Sequence, residues 1–157
     1  MTFLETAVGK WIMTMGIAMV PVIELRGAIP IGVAAGLEPW EAYLASVIGN
    51  LIPVPIIMLL IRKAFDWLRH GKWWGPKIEW LEGRAHLKGR IVRKYRMLGL
   101  ILLVAIPLPG TGAWTGALVA DILDIRLRYA LPAILVGLLI AGGITLAVTC
   151  GVFAALA

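Results

Sequence analysis

Two short stretches place residues that can do chemistry inside apolar runs. The first, residues 22–30 (Val-Ile-Glu-Leu-Arg-Gly-Ala-Ile-Pro), contains the carboxylate of Glu24 and the guanidinium of Arg26. The second, residues 107–112 (Pro-Leu-Pro-Gly-Thr-Gly), contains the hydroxyl of Thr111. A carboxylate can carry a proton, and a guanidinium can bind an anion such as a phosphate. Pro and Gly in both stretches predict that a helical backbone is interrupted there.

The residues around these stretches are those of an integral membrane protein. The chain has 157 residues, of which 61% are hydrophobic, and its mean hydropathy is +0.91. Soluble domains are typically about 45–50% apolar. In hydrocarbon, interrupted backbone and charged side chains are tolerated only where protein buries them or where they line a water-filled cavity. We therefore expect the two stretches to meet near the bilayer midplane and to form a transport site.

Hydropathy predicts one membrane domain, residues 1–157, in which the same order of elements occurs twice. Each half has an apolar arm, a Pro/Gly interruption, a return arm of small residues, a charged patch and a full-length span. The predicted segments are a re-entrant hairpin at 8–37, a transmembrane helix at 41–62, a basic loop at 63–97, a second re-entrant hairpin at 98–124 and a transmembrane helix at 130–156. The predicted fold class is all-α with two inverted repeats, because one span separates hairpins that enter from opposite faces. Asn50, within the first span, is expected to face protein rather than lipid.

The alternative topology makes residues 8–23 and 98–123 ordinary spans. As a helix, residues 8–23 would extend about 24 Å, less than the roughly 30 Å hydrocarbon core. If residues 98–123 crossed the membrane, Arg126 and Arg128 would face outside, whereas a hairpin returns them to the side of the basic loop. The charges therefore favour two hairpins, with the N-terminus outside.

Most of the positive charge lies in the central loop. Residues 62–97 contain eleven Lys or Arg and three Asp or Glu, a net charge of +8, whereas the rest of the chain carries −2. The positive-inside rule places this loop in the cytoplasm. Apolar residues at helical spacing predict an interfacial amphipathic helix over residues 77–97, and a solvated basic loop is the alternative. The expected membrane-surface residues are Trp73, Trp74, Arg90, Arg93 and Lys94.

Residues 24–30 (Glu-Leu-Arg-Gly-Ala-Ile-Pro) followed by residues 107–116 (Pro-Leu-Pro-Gly-Thr-Gly-Ala-Trp-Thr-Gly) resemble the small multidrug export family. That family looks distantly related to the DedA/VTT superfamily of membrane proteins. The resemblance covers nearly the whole chain and implies two re-entrant hairpins that face each other. For DedA-type proteins it implies transport driven by the proton-motive force, with undecaprenyl phosphate as the cargo. The acidic role of that superfamily falls on Glu24, but its second-hairpin arginines are matched only by Arg126 and Arg128.

The polar side chains of the two stretches have expected roles. Glu24, desolvated but beside a cation, is expected to bind and release a proton. Arg26 is expected to bind an anionic headgroup, which the backbone and hydroxyl around Thr111 also approach. Asp121 is a candidate second titrating group, and Trp114 is a candidate gate. The alternatives are that Glu24 and Arg26 only satisfy each other, that Asp121 is structural, and that Trp114 packs rather than gates. The predicted substrate- and proton-binding residues are Glu24, Arg26, Gly27, Pro30, Pro107, Pro109, Gly110, Thr111, Gly112, Trp114 and Asp121.

The leading functional hypothesis is a secondary transporter or lipid translocase of the plasma (inner) membrane that moves an anionic amphiphile such as undecaprenyl phosphate with protons. It is expected to work as a homodimer among membrane lipids. The second hypothesis is efflux of cationic amphiphiles, with Glu24 as the exchanging carboxylate. A membrane-embedded enzyme is disfavoured, because both histidines lie in the basic loop and no nucleophile–base pair or metal-ligand cluster is found. No cofactor, metal or nucleic-acid partner is therefore expected. A scaffold protein is the last hypothesis, and its role would not require a charged pair at a broken helix.

Overall fold

A computed structural model describes residues 6–69, 89–108 and 111–156. Helices are the regular secondary structure of these ranges, which contain no strand, and the prediction of an all-α protein is confirmed. The helices are α1 (Ala7–Met19), α2 (Glu24–Ala34), α3 (Pro39–Leu51), α4 (Pro53–Arg69), α5 (Gly89–Ala105), α6 (Ala113–Ile122) and α7 (Leu127–Leu156).

Two helical segments among the described residues are long and apolar enough to cross a membrane. They are Pro39–Ala64, formed by α3 and most of α4, and Leu127–Leu156, which is α7. By contrast, α1 has 13 residues and α6 has 10. At 1.5 Å per residue these helices are about 20 Å and 15 Å long, too short to cross a hydrocarbon core of roughly 30 Å.

The first return helix folds back along the first arm. A Cβ at Gly36, just past the end of α2, would lie 3.0 Å from the Nζ of Lys10 near the start of α1. The indole N–H of Trp11 donates to the carboxylate of Glu41 (3.3 Å), so α3 starts at the same end of the molecule. A capping box between Glu38 and Glu41 fixes that start, because each side chain accepts a hydrogen bond from the other's backbone N–H.

The second return helix folds back along α5. Arg96 of α5 donates through Nη1 to the carbonyl of Leu123, just past the end of α6 (2.9 Å). Arg62, near the end of the first long apolar segment, donates through Nη2 to the carbonyl of Ile125 (2.9 Å). Arg62 of α4 and Arg96 of α5 therefore both lie at the C-terminal end of α6.

The two return helices, α2 and α6, end in the same type of turn. The N–H of Leu37 bonds to the carbonyl of Gly32 (3.1 Å), and the N–H of Ile125 bonds to the carbonyl of Ala120 (2.8 Å). This bond across five residues closes the helix end through one residue in the left-handed conformation. Those residues are Gly36 (φ 90°) and Asp124 (φ 51°), which, like the bonded pairs, are 88 positions apart. Local structure thus repeats between two halves whose sequences differ.

Glycines set the distance between each arm and its long helix. A Cβ on Gly49 in α3 would lie 2.8 Å from the Cα of Met15 in α1. A Cβ on Gly137 in α7 would lie 2.6 Å from the Cβ of Val104 in α5. These helices therefore meet at their backbones, the kind of packing that small residues allow in membranes.

Helix α5 spans the predicted boundary between the basic segment and the second arm. It runs without interruption from Gly89 to Ala105, across residue 98, where the apolar arm is predicted to begin. The change from charged to apolar residues does not end the helix, because helix-breaking residues are absent at that point. The backbones of Arg90, Arg93 and Lys94 lie in α5, while residues 70–88, with Trp73 and Trp74, are outside the described residues.

Candidate functional site

The first interruption is shorter than predicted and comes before the charged pair. Helix α1 ends at Met19 and α2 begins at Glu24, so residues 20–23 separate the two helices. The expectation that residues 22–30 interrupt the helix is therefore wrong from Glu24 onward. The charged pair lies on the first turn of the return helix, close to the interruption but not within it.

Pro30 lies inside α2 rather than breaking it. Its ring nitrogen has no hydrogen, so the carbonyl of Arg26 lacks its usual helical donor. The helix continues because its apolar face is packed: Leu25 is 1% exposed and Ile29 is fully buried. Gly27, on the same helix, lies against the side chain of Ile23.

Asn50 on α3 holds the first interruption together. Its side chain is fully buried, which confirms that it faces protein. In the amide orientation that its neighbours require, it donates to the carbonyl of Ala18 and accepts from the N–H of Leu25, both at 3.3 Å. One side chain therefore satisfies a backbone group on each side of the interruption. The burial of Asn50 was predicted from the sequence, but its hydrogen bonds to both sides of the interruption were not.

The guanidinium of Arg26 reaches the second interruption. Its Nη2 donates to the carbonyl of Ile106 (3.2 Å) and to the hydroxyl of Thr111 (3.1 Å). That hydroxyl lies 2.9 Å from the carbonyls of both Ile106 and Leu108, to either of which it can donate. The break after α5 is thus stabilised by its own threonine and by an arginine from the other half of the chain.

Two further contacts join the interruptions. The carboxylate of Glu24 lies against Gly112, at the place that a Cβ on residue 112 would occupy. The indole N–H of Trp114 donates to the carbonyl of Met19, the last residue of α1 (3.1 Å). The structure therefore brings Glu24, Arg26, Thr111, Gly112 and Trp114 into one cluster, which we call the tip cluster.

The charged pair of the tip cluster is only partly satisfied by protein. Glu24 is 2% exposed and its backbone is left-handed (φ 51°), a conformation that costs a residue with a side chain about 1–2 kcal/mol. The Nη1 of Arg26 lies 3.9 Å from the Oε2 of Glu24, longer than a hydrogen-bonded ion pair. Within the described residues, Oε1 of Glu24 and Nε and Nη1 of Arg26 are buried and have no hydrogen-bond partner. Mutual pairing does not account for these atoms.

A cavity of about 420 Å³ adjoins the tip cluster at Arg26. Its volume is within the range of roughly 300–1,000 Å³ that is usual for small-molecule sites. The remaining lining residues are Pro30, Pro107 and a strip of α7 formed by Ile144, Thr145, Val148, Thr149, Val152 and Phe153. The hydroxyls of both threonines donate to carbonyls one turn earlier in α7 (2.8 Å). Arg26 therefore supplies the charge of a mostly apolar cavity.

Asp121 lies away from the tip cluster. It is nine residues after Gly112, which corresponds to about 13 Å along a helix axis. Its Oδ1 accepts a hydrogen bond from the Nε of Arg62 (3.0 Å). The structure therefore does not bring Asp121 to Glu24 and Arg26, but pairs it with a cation that sequence reasoning treated only as the end of a span.

Two of the predicted site residues lie outside the described residues. A metal centre was not predicted. Pro109 and Gly110 lie outside the described residues, while Pro107 lines the cavity. Among the described residues, no group of three or more His, Cys, Asp or Glu is placed to hold a metal ion.

A protein-family model described as "Putative small multi-drug export protein" matches residues 24–144. The chain belongs to this family. The match begins at Glu24 and includes all five residues of the tip cluster. No curated protein and no solved structure matches the chain. The family named in the sequence analysis is confirmed, while its distant relationship to the DedA/VTT proteins stays a prediction. Family membership and the two long apolar helices together indicate a membrane location for this chain.

Proposed function

We propose that this protein is a proton-linked secondary transporter of the cell membrane, not an enzyme, and that the tip cluster is its transport site. The observation that carries the proposal is a buried carboxylate–guanidinium pair where two helix interruptions meet, beside an apolar cavity. Buried ionisable groups are costly in a membrane and mark transport pathways. The family description, which refers to export, agrees with transport as the activity.

The proposed topology has two re-entrant hairpins, α1–α2 and α5–α6, which enter from opposite faces. The short arms, the return of each second helix along the first, and the turn repeated 88 positions apart support this arrangement. Asn50, which holds the first hairpin tip, is 11 residues from one end and 14 from the other end of the Pro39–Ala64 segment. The tips would then meet near the bilayer midplane, as in transporters built from inverted repeats.

The orientation follows from the charges at the two ends of the helices. One end carries the basic residues Arg62, Lys63, Arg96, Arg126 and Arg128, and the other carries one basic residue, Lys10, with Glu38 and Glu41. The positive-inside rule places the basic end, together with the 63–97 segment, in the cytoplasm. The homodimer expected from the small size of the chain is part of the same proposal.

The charged pair links proton binding to anion binding. When Glu24 is ionised, its negative charge offsets the charge of Arg26 at a distance of 3.9 Å. Protonation of Glu24 removes this offset and leaves the guanidinium attractive to an anion, so that the proton and the anion each favour binding of the other. A site of this kind moves both in the same direction.

The cavity favours an amphiphile as the cargo. An anionic headgroup at Arg26 would place its apolar part along the α7 strip, where lipid tails and side chains are compatible. Arg26 offers Nε and Nη1, which have no partner among the described residues, to two oxygens of a phosphate. Undecaprenyl phosphate is the cargo of this class that we propose to test first.

The family description favours a second candidate, the export of cationic drugs. In that mechanism a cation and a proton would compete for Glu24, and the exchange would run as antiport. The cation would have to approach a cavity whose charged lining residue is Arg26, an arrangement that costs Coulomb energy unless Glu24 stays ionised.

The deciding experiment measures transport of an undecaprenyl-phosphate analogue in proteoliposomes with and without an imposed pH gradient. Arg26→Ala should lower the rate by about tenfold or more, the loss typical of a charged hydrogen-bonding group. Glu24→Gln should abolish the response to the gradient. Matched controls are Arg128→Ala, an exposed arginine, and Asp124→Asn, an exposed acidic residue with the same φ of 51°.

The outcomes separate the two cargo classes. Wild-type vesicles that move the analogue no faster than empty vesicles would exclude the anionic cargo. Exchange of a cationic dye for protons, lost in Glu24→Gln and kept in Arg26→Ala, would support drug export instead.

A further inference from the structure

We infer that Asn50 is the positioning residue of the transport site: its amide fixes the interruption between α1 and α2 in the geometry that presents Glu24 to Gly112. This inference rests on the proposed function of the tip cluster. Asn50 does not touch the charged pair; it acts through the backbone of Leu25, the residue that follows Glu24.

The first step concerns the unpaired backbone groups at helix ends. The first N–H groups of a helix have no partner within it, and a side chain normally supplies one. The residue before α2, Ile23, makes no side-chain cap. The side-chain oxygen of Asn50 accepts from the N–H of Leu25 instead, so α3 supplies the cap of α2 from another helix.

The second step concerns the other side of the interruption. The amide nitrogen of Asn50 donates to the carbonyl of Ala18, in the last turn of α1. One planar amide thus sets the separation of the two helix ends that flank residues 20–23. Glu24 lies directly after this segment with a left-handed backbone (φ 51°), a conformation that persists only where the surroundings hold it.

The third step is the contrast with the second interruption. The position 88 residues after Asn50 is Leu138, which is buried and has no polar side chain. The carbonyl of Ile106, at the end of α5, is satisfied instead by Arg26 and Thr111. The first interruption is therefore anchored to its long helix, and the second is anchored to the first. The placement of the whole tip cluster depends on Asn50.

Asn50→Asp provides a test that a general loss of packing would not mimic. A protonated carboxyl group has one donor and one acceptor, like the face of the amide that Asn50 uses. An ionised carboxylate has only acceptors, so it can still receive the N–H of Leu25 but repels the carbonyl of Ala18. Asn50→Leu, which has the same number of side-chain heavy atoms and the same branching, removes both hydrogen bonds at every pH.

The matched control is Ser46→Ala. Ser46 lies on the same helix one turn earlier and is also fully buried, and its hydroxyl has no hydrogen-bond partner among the described residues. Charged side chains on the described parts of the helices packed against α3 are Lys10, Glu24, Arg26, Arg62, Lys63 and Arg128. Of these, Glu24 adjoins the bonded Leu25, so every measurement is repeated in a Glu24→Gln background.

The experiment measures exchange of the labelled undecaprenyl-phosphate analogue at equal pH on both sides of the proteoliposome membrane. Burial favours the neutral form of the introduced carboxyl group, so we expect Asn50→Asp to match wild type within about twofold near pH 5 and to fall to about a tenth of wild type at the higher pH where that group ionises. The same pH dependence should persist in the Glu24→Gln background. Asn50→Leu exchange within about twofold of wild type would overturn the inference.

A second measurement needs no cargo. Amide hydrogen exchange of the peptide that contains Leu25 should be roughly tenfold faster in Asn50→Leu than in wild type, and unchanged in Ser46→Ala. If the wild-type protein moves no analogue, the proposed cargo fails while this exchange still tests the positioning role. Unchanged exchange at Leu25 in Asn50→Leu overturns the role whatever the transport result.

Discussion

The guanidinium of Arg26 divides its donors. Its Nη2 holds the second interruption through Ile106 and Thr111, while Nε and Nη1 are buried without a hydrogen-bond partner among the described residues, and Nη1 lies 3.9 Å from the Oε2 of Glu24. A lysine has a single charged nitrogen and cannot divide its donors in the same rigid geometry. Arginine can therefore stabilise the broken backbone and, in the proposed mechanism, offer charge to a ligand at the same time.

Gly112 provides the residue-scale prediction. Its φ of −92° suits any residue, so the effect of Gly112→Ala is steric: the new Cβ would occupy the place of the Glu24 carboxylate. We expect proton-linked transport to fall about tenfold or more and the free energy of unfolding to fall by about 1–3 kcal/mol, the usual cost of overpacking. Initial transport rates and thermal unfolding in detergent measure the two effects.

The control for this substitution is Gly99→Ala, because a Cβ on Gly99 meets nothing within 4 Å. Wild-type transport by Gly112→Ala would mean that the Glu24 carboxylate does not need its place against residue 112.

At the scale of the helices, close contact between α1 and α3 depends on Gly49. A Cβ there would lie 2.8 Å from the Cα of Met15, a backbone atom that cannot move away independently. Gly49→Ala should therefore lower the free energy of unfolding by about 1–3 kcal/mol. At Gly143 in α7 a Cβ meets nothing within 4 Å, and Gly143→Ala should be neutral or stabilising by up to about 1 kcal/mol. Equal unfolding temperatures for the two variants would contradict the packing of α1 on α3.

The contact between α4 and α6 depends on an ion pair. The Nε of Arg62 lies 3.0 Å from the Oδ1 of Asp121, whose side chain is 2% exposed, while that of Arg62 is 40% exposed. Since Arg62 keeps contact with solvent, we expect Asp121→Ala to lower the free energy of unfolding by about 1–3 kcal/mol. A cycle of Asp121→Ala, Arg62→Ala and the double variant should give a coupling energy between the two side chains of at least about 0.5 kcal/mol. Denaturant titration of the four proteins measures it.

A different variant, Asp121→Asn, tests whether Asp121 is a second proton carrier. Because Asp121 lies outside the tip cluster, Asp121→Asn should keep the response of transport to an imposed pH gradient. Loss of that response with normal folding would return Asp121 to the transport mechanism.

At the scale of the whole molecule, the two topologies place Tyr129 on opposite sides of the membrane. Hairpins put it in the cytoplasm beside the basic loop, whereas ordinary spans put it outside. In a Cys150→Ala background, Tyr129→Cys should resist a membrane-impermeant maleimide added to intact cells and react after the cells are opened. Trp40→Cys, 58% exposed and outside in both topologies, is the positive control. Labelling of both cysteines in intact cells would exclude the second hairpin.

What the sequence determines about this protein is local in origin. The length of each apolar run predicts two long helices, and Pro and Gly in residues 107–112 predict the second interruption, which lies between Ala105 and Ala113. The residues of the two motifs, 24–30 and 107–116, carried a resemblance to the family that was confirmed. These features depend on neighbouring residues, whose preferences are legible without knowledge of the fold.

Tertiary structure alone decided the rest. Pro30 remained helical because the buried faces of Leu25 and Ile29 offset one lost hydrogen bond. The contact of Glu24 with Gly112, the bonds from Asn50 across the first interruption, and the pairing of Asp121 with Arg62 join residues distant in the chain. Hydropathy records how apolar each segment is but not which segment it packs against. The partner of a buried polar group is chosen by that packing, which is why the site's residue types were predictable and their contacts were not.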